Sequence, residues 1–385
     1  MTQTLTIPTY GRSTLADVGP SMLAALGVAG EPNPLALDGS ARICVFVVDG
    51  LGWLQLRRHA DAAPFLGVAD GIALQAGFPA TTVSSLASLG TGLPSGAHGL
   101  TGYSSYVHEV DAVVNWLAWR SVGPGEDLRE RVVPEEIQQQ PTVWERAEAA
   151  GVATTICTFD NFGGSGLTRA VLRGGSWGGT IAEGDAVARA VDASLRGFRS
   201  LVYVYVSALD LVGHIRGPDT EAWRAQLGVV DRIAAQLAAG LPSDATLLIT
   251  ADHGMVHVPD DAKVDADATP ALLDGVVAIA GEPRARYVHC RAGATSDVVT
   301  SWRAHLGDRW WVGVRDDAIA AGLFGPYVSD GAARRIGDVV AISLGNGGVV
   351  ERRKLPRLAA MPGQHGSVTD EELLIPLLRI RGGRG

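Results

Sequence analysis

Four stretches of the chain are apolar almost without interruption: ARICVFVV at 41–48, VATTIC at 152–157, SLVYVYVS at 200–207 and ATLLIT at 245–250. Short runs of this kind, rich in β-branched residues, predict strands buried on both faces. Between them, TVWERAEAAG (142–151), AEGDAVARAVDASLRG (182–197) and TEAWRAQLGVVDRIAAQLAAG (220–240) show helical spacing and end in glycine, a common helix stop. The alternation predicts an α/β fold, a three-layer α/β/α arrangement around a mostly parallel central sheet. Near the end, TDEELLIPLLRI (369–380) carries Thr369 and Glu372 at capping-box spacing before an apolar run, which predicts a short helix and then a last strand.

Two regions break the rhythm. Within residues 101–140, YSSYVHEVDAVVNWLAW alternates polar and apolar positions around Glu109–Asp111 and predicts a β-hairpin. Residues 256–345 are richer in Gly, Asp, Arg and Pro and hold the strand-like ARYVHCRA and RWWVGV. They read as an inserted cap domain, leaving 1–255 and 346–385 as the core. Trp310, Trp311 and Tyr327 in the cap are read as packing groups rather than as a surface that stacks on a ligand.

Composition narrows the classes. With 385 residues, 46% hydrophobic and 19% charged, the chain has ample material for a large core. A net charge of -9 and a pI near 5.5 argue against a basic groove that tracks nucleic acid. Cys44, Cys157 and Cys290 are dispersed and odd in number, as for thiols in a reducing compartment. The N-terminal stretch MTQTLTIPTYGRSTLADVGP lacks the apolar segment of a secretory signal, and no run approaches the roughly 20 apolar residues of a membrane span. A cytoplasmic location and no membrane partner are expected; the oligomeric state is not legible.

In an open α/β sheet, ligands gather beyond the carboxyl ends of the strands. The first run ends at Asp49, the third leads to Asp210 and His214, the fourth to Asp252 and His253, and a further His365 lies between glycines in PGQHGSV. Each alone reads as a helix cap, a turn or a surface pair. Together, three carboxylates and three imidazoles make the donor inventory of two divalent metal ions, zinc first and manganese or iron with the same donors, in an open catalytic site. FPATTVSSLASLGTG (78–92) sets Thr81, Thr82, Ser84 and Ser85 at the start of a helix, where free N–H groups receive an anion. Two divalent ions against three carboxylates leave about one positive charge for an anionic ligand or a deprotonated nucleophile, and Thr82 is the candidate.

In this order, VVDGLGW, FPATTVSSLASLGTGLPSGAHGL, DLVGH, ADHGM and GQHG resemble the alkaline phosphatase superfamily, most closely its nucleotide pyrophosphatase/phosphodiesterase branch. The resemblance spans 42–103, 200–256 and 360–378. It implies Thr82 as nucleophile, with Thr81 as the alternative. It further implies Asp210, His214 and His365 on one zinc, and Asp49, Asp252, His253 and Thr82 on the other. Eukaryotic-type members carry an asparagine three residues after the nucleophile that contacts a nonbridging phosphate oxygen; this chain departs from them with Ser85, the candidate to bind that oxygen through its hydroxyl, and His98 reads as structural. The implied activity is hydrolysis of phosphodiesters or nucleotide pyrophosphates through a threonine-phosphoryl intermediate, with a small phosphate ester or nucleotide as substrate. No arginine near Thr82 matches the clamp of the monoesterase branch, and TTVSS lacks the nucleophile motif of sulfatases. A phosphomonoesterase or phosphonate hydrolase on the same core, and more distantly a non-catalytic metal-binding protein, are the alternatives.

Overall fold

The computed structural model describes residues 5–383; the first four residues of the N-terminal stretch read above lie outside that range. The central sheet has seven strands. In chain order they are β1 (Arg42–Val48), β2 (Gly71–Gln75), β3 (Ala153–Cys157), β4 (Ser176–Trp177), β5 (Ser200–Val206), β6 (Ala245–Thr250) and β7 (Leu374–Arg381). Across the sheet they stand β2-β7-β6-β1-β5-β3-β4. The five from β6 to β4 are parallel, whereas β7 runs antiparallel to both β6 and β2. All seven residues of β5 and six of the seven in β1 are buried, which is why both read as unbroken apolar runs.

The helices expected between the strands lie at Val143–Ala149, Glu183–Ser194 and Glu221–Gly240. Thr142 closes a capping box at the first: its Oγ1 accepts from the Glu145 N–H at 3.0 Å, and Glu145 Oε2 accepts from the Thr142 N–H at 2.8 Å. The box expected at Thr369 does not close on the backbone, because the Thr369 hydroxyl turns to the Glu372 side chain. Glu372 is held elsewhere, in a fully buried bidentate pair with Arg284 at 2.7 and 2.8 Å. Removing one partner of such a pair strands the other charge. Glu372→Ala should therefore cost about 3–5 kcal/mol, seen as a lower midpoint in urea unfolding.

Arg284 lies in the turn between the first two strands of a second sheet, whose four antiparallel strands are ordered Val276–Glu282, Ala285–Cys290, Val339–Ser343, Trp310–Val314. This sheet lies inside the stretch 256–345. Its residues alternate between two small cores: Val340 and Ile342 join Phe78, Tyr106, Tyr287 and Phe324, while Val339 and Ala341 join Trp302, Trp310 and Val349. Trp310 is thus a packing group, and Tyr327 is 65% exposed. The hairpin around Glu109–Asp111 is present as Ser104–Val107 paired with Ala112–Asn115. Among the described residues no helix is long and apolar enough to cross a membrane.

Candidate active site

The three central strands β5, β1 and β6 are neighbours in parallel register, so their carboxyl ends lie side by side. Asp49 follows β1 directly, and its N–H bonds Val206 O at 3.0 Å. Asp210 sits in the first turn of the helix Ala208–Arg216 after β5, with His214 one turn on, while Asp252 and His253 follow β6. The Gly50 N–H donates to Asp252 Oδ1 at 3.1 Å and stitches the first loop to the third. His365 is brought back by Gly363–Gln364, which pairs with Val256–His257 just beyond β6. Residues far apart in sequence therefore meet at one sheet edge.

Thr82 opens the helix Thr82–Thr91, with Thr81 as its extended N-cap residue and no acidic side chain in the first turn. The first i→i−4 bond is Ser85 N–H to Thr81 O at 2.9 Å, so the N–H groups before it face outward from the positive end of the helix. Thr82 Oγ1 is 3.2 Å from His253 Nε2. That nitrogen is also 3.4 Å from Asp49 Oδ1 and 3.6 Å from Asp252 Oδ2. Asp210 faces His214 Nε2 through Oδ2 at 3.3 Å and His365 Nε2 through Oδ1 at 3.9 Å.

Two overlapping groups satisfy the spacing of a cation's ligands, Asp210 with His214 and His365, and Asp49 with Asp210 and His253. Each histidine carries Nδ1 against a backbone carbonyl, Gly363 O at 2.8 Å for His214, Gly254 O at 3.0 Å for His253 and Ala80 O at 3.0 Å for His365. A carbonyl only accepts, so Nδ1 holds the proton and Nε2 presents a lone pair, the tautomer that a metal-ligating histidine needs. Among the described residues, Asp49 Oδ1, Asp210 Oδ1 and Asp252 Oδ2 are buried without a hydrogen-bond partner. Three orphaned carboxylate oxygens and three imidazole lone pairs in one place fit divalent cations.

The electrostatics agree. Burial, then the Asp252 and Asp210 charges, push the Asp49 carboxyl well above its ordinary range, against a hydrogen bond from the Tyr205 hydroxyl. Burial also raises Asp210, with His214 opposing. His365 is pushed well down, by burial first and then by His253 and His214. Such mutual frustration is what a bound cation relieves.

A cavity of about 450 Å³ opens over this cluster. Asp49, Thr82, Asp210, His214 and His365 line it, with Leu86, Leu117, Phe162, Leu172 and Met361 forming much of its apolar wall. Tyr103, Tyr203, Tyr205 and Glu282 also line it and were not singled out from the sequence. For the two tyrosines of β5 a signal existed, since residues two apart in a strand share a face. Ser85 is fully buried, its hydroxyl has no partner among the described residues, and it is Leu86 that reaches the cavity wall.

His98 is structural in its contacts: Nδ1 accepts from the Leu100 N–H at 3.2 Å and Nε2 meets Ser88 Oγ at 3.2 Å. Burial drives its pKa down to about 3, against about 6.5 in an unfolded chain. Below pH 6.5 the unfolded chain takes up a proton that the folded protein refuses. The stability tied to His98 is full above that pH and drains away toward pH 3. His98→Gln should flatten the pH dependence of unfolding free energy by up to about 1.4 kcal/mol per unit in that window, measured by urea titration at several pH values.

A mostly parallel α/β sheet whose strand ends bring two clusters with the spacing of cation ligands to a helix-borne threonine has the core of a hydrolase suited to phosphoryl chemistry. The model of the type I phosphodiesterase / nucleotide pyrophosphatase family matches residues 43–368, and the chain belongs to this family. The same architecture is found in human ectonucleotide pyrophosphatase/phosphodiesterase 5, at 14% identity and a TM-score of 0.67, covering 89% of this chain and 90% of that one. The murine protein, in an inactive form in complex with AMP, gives 15% identity and a TM-score of 0.67 over 89% and 90%. No curated protein matches the chain.

Proposed function

We propose that the protein is a metal-dependent phosphodiesterase and nucleotide pyrophosphatase that works through a threonine-phosphoryl intermediate. The observation that carries this reading is the Thr82 hydroxyl 3.2 Å from His253 Nε2, beside carboxylate oxygens that lack partners. Asp210, His214 and His365 would hold one divalent ion, and Asp49, Asp252 and His253 with Thr82 a second. Bound there, such ions would supply positive charge to phosphoryl oxygens and lower the pKa of a hydroxyl; the all-N,O donor set favours zinc.

The chain's own groups divide the remaining work. Thr82 Oγ attacks phosphorus, a P–O bond to the leaving group breaks, and the alcohol or nucleotide departs. Water then attacks the same phosphorus and releases phosphate monoester and the Thr82 hydroxyl. N–H groups at the start of Thr82–Thr91 orient the phosphoryl oxygens. The apolar wall supports an organic group on the ester, and the AMP held by the murine relative supports a nucleotide. We take 256–345 as a cap over this site and, with three free thiols, place the protein in a reducing cytoplasm.

Among the described residues no lysine or arginine lines the cavity, which favours a singly charged phosphodiester over a doubly charged monoester. The zinc-loaded protein should hydrolyse bis(nitrophenyl) phosphate faster than nitrophenyl phosphate by about tenfold or more. Turnover of the monoester alone would move the assignment to a phosphomonoesterase. Metal uptake without turnover of either would leave a binding protein.

A further inference from the structure

The cavity wall holds three acidic side chains, and two of them, Asp49 and Asp210, belong to the cation clusters. The third is Glu282, the last residue of the strand Val276–Glu282 in the second sheet. It is 2% exposed. Its Oε1 accepts from the Tyr103 N–H, and the Thr81 side chain also hydrogen-bonds the carboxylate. Oε2 has no partner among the described residues.

Its surroundings fix it, and the Arg286 charge offsets it only through space and in part. A Cβ on Gly366, the residue after His365, would fall 2.8 Å from Glu282 Cβ and Cγ, and one on Gly102 would fall 3.4 Å from both carboxylate oxygens. The nearby Arg286 guanidinium is committed elsewhere: Nε and Nη2 donate to Val349 O at 2.9 and 2.6 Å, and Nη1 lies 3.7 Å from Glu351. A buried carboxyl therefore sits between the neighbour of Thr82 and the neighbour of His365, with one oxygen unmatched. Burial pushes it up to about 7.

We propose that Glu282 is a specificity-determining residue, which sets the site against doubly charged phosphate monoesters and in favour of singly charged phosphodiesters. This rests on the phosphodiesterase reading above. A monoester carries nearly two charges above its second pKa of about 6, whereas a diester carries one. A fixed negative group in a low-dielectric wall penalises the extra charge far more than it would in water. Discrimination here comes from a repulsive element built against the competitor.

The test compares the metal-loaded wild type with Glu282→Gln and Glu282→Asp at about pH 8.5, where the carboxyl is ionised, on nitrophenyl phosphate and bis(nitrophenyl) phosphate. In Glu282→Gln the monoester-to-diester ratio of kcat/KM should rise about tenfold, with metal content unchanged. Glu282→Asp should keep the wild-type ratio. The wild type alone supplies an independent check: it should prefer nitrophenyl methylphosphonate, singly charged, to the doubly charged nitrophenyl phosphate of nearly equal size. An unmoved ratio, an equal change on both substrates, the same shift in Glu282→Asp, or indifference to the methylphosphonate would overturn the role of Glu282. A wild type inert toward every ester would instead overturn the phosphodiesterase reading.

Discussion

Thr82→Ala should yield a folded protein that keeps its metal sites but loses diester hydrolysis by about a thousandfold or more. The substitution removes one hydroxyl and one methyl from a residue that is 7% exposed at the first position of its helix. The N-cap residue Thr81 stays, so helix stability changes little. What disappears is the hydroxyl oxygen placed 3.2 Å from His253 Nε2. Thr82→Ser restores the oxygen on a slimmer side chain and should recover activity to within about a hundredfold of wild type. Thr81→Ala should be milder, because that side chain reaches Glu282 instead. Acid quenching during turnover, followed by peptide mass spectrometry, should find the phosphoryl adduct on Thr82. An adduct on Thr81, or full activity in Thr82→Ala, would remove the proposed nucleophile.

The parts of the fold that the sequence discloses are those where one face, or both, decide residue type. β1, β5 and β6 are buried on both sides, and their apolar runs announced them. β2 was not recognised: within GIALQ only Leu74 is buried, because this is an edge strand half open to solvent. The antiparallel course of β7 depends on how the chain returns from the second sheet, which no local pattern encodes. The same limit governs the site. Asp49, Asp210, Asp252 and their histidines were legible because each lies within a few residues of a strand end or a glycine turn. Glu282 was not, since it enters the cavity from a strand of the other sheet and reads locally as an ordinary polar terminus. Thr369 and Glu372 show the reverse error, a sound local signature overridden when a distant Arg284 claims the glutamate.

Asp210 should prove the most consequential single ligand. Its carboxylate is a ligand of the first ion and also lies within ligand spacing of Asp49 and His253, which hold the second, whereas Asp49 serves the second alone. Asp210→Asn should therefore lower the metal bound per chain, measured after gel filtration, more than Asp49→Asn does, and should abolish hydrolysis to about the level of chelator-treated wild type. The sign of the stability change separates metal binding from a merely structural role. Without metal, Asp210 is an acid whose charged form burial disfavours first, with Asp252 adding to this and His214 and His253 opposing it, so the neutral amide escapes the burial penalty and the metal-free variant should unfold at a higher urea concentration than the metal-free wild type. With metal the order should reverse. Ions held at a hundred times their dissociation constant stabilise the wild type by about 2.7 kcal/mol per site, a gain that the variant largely forgoes. If zinc stabilised both proteins equally, Asp210 would not be a ligand, and the two-cation reading of this sheet edge would fail with it.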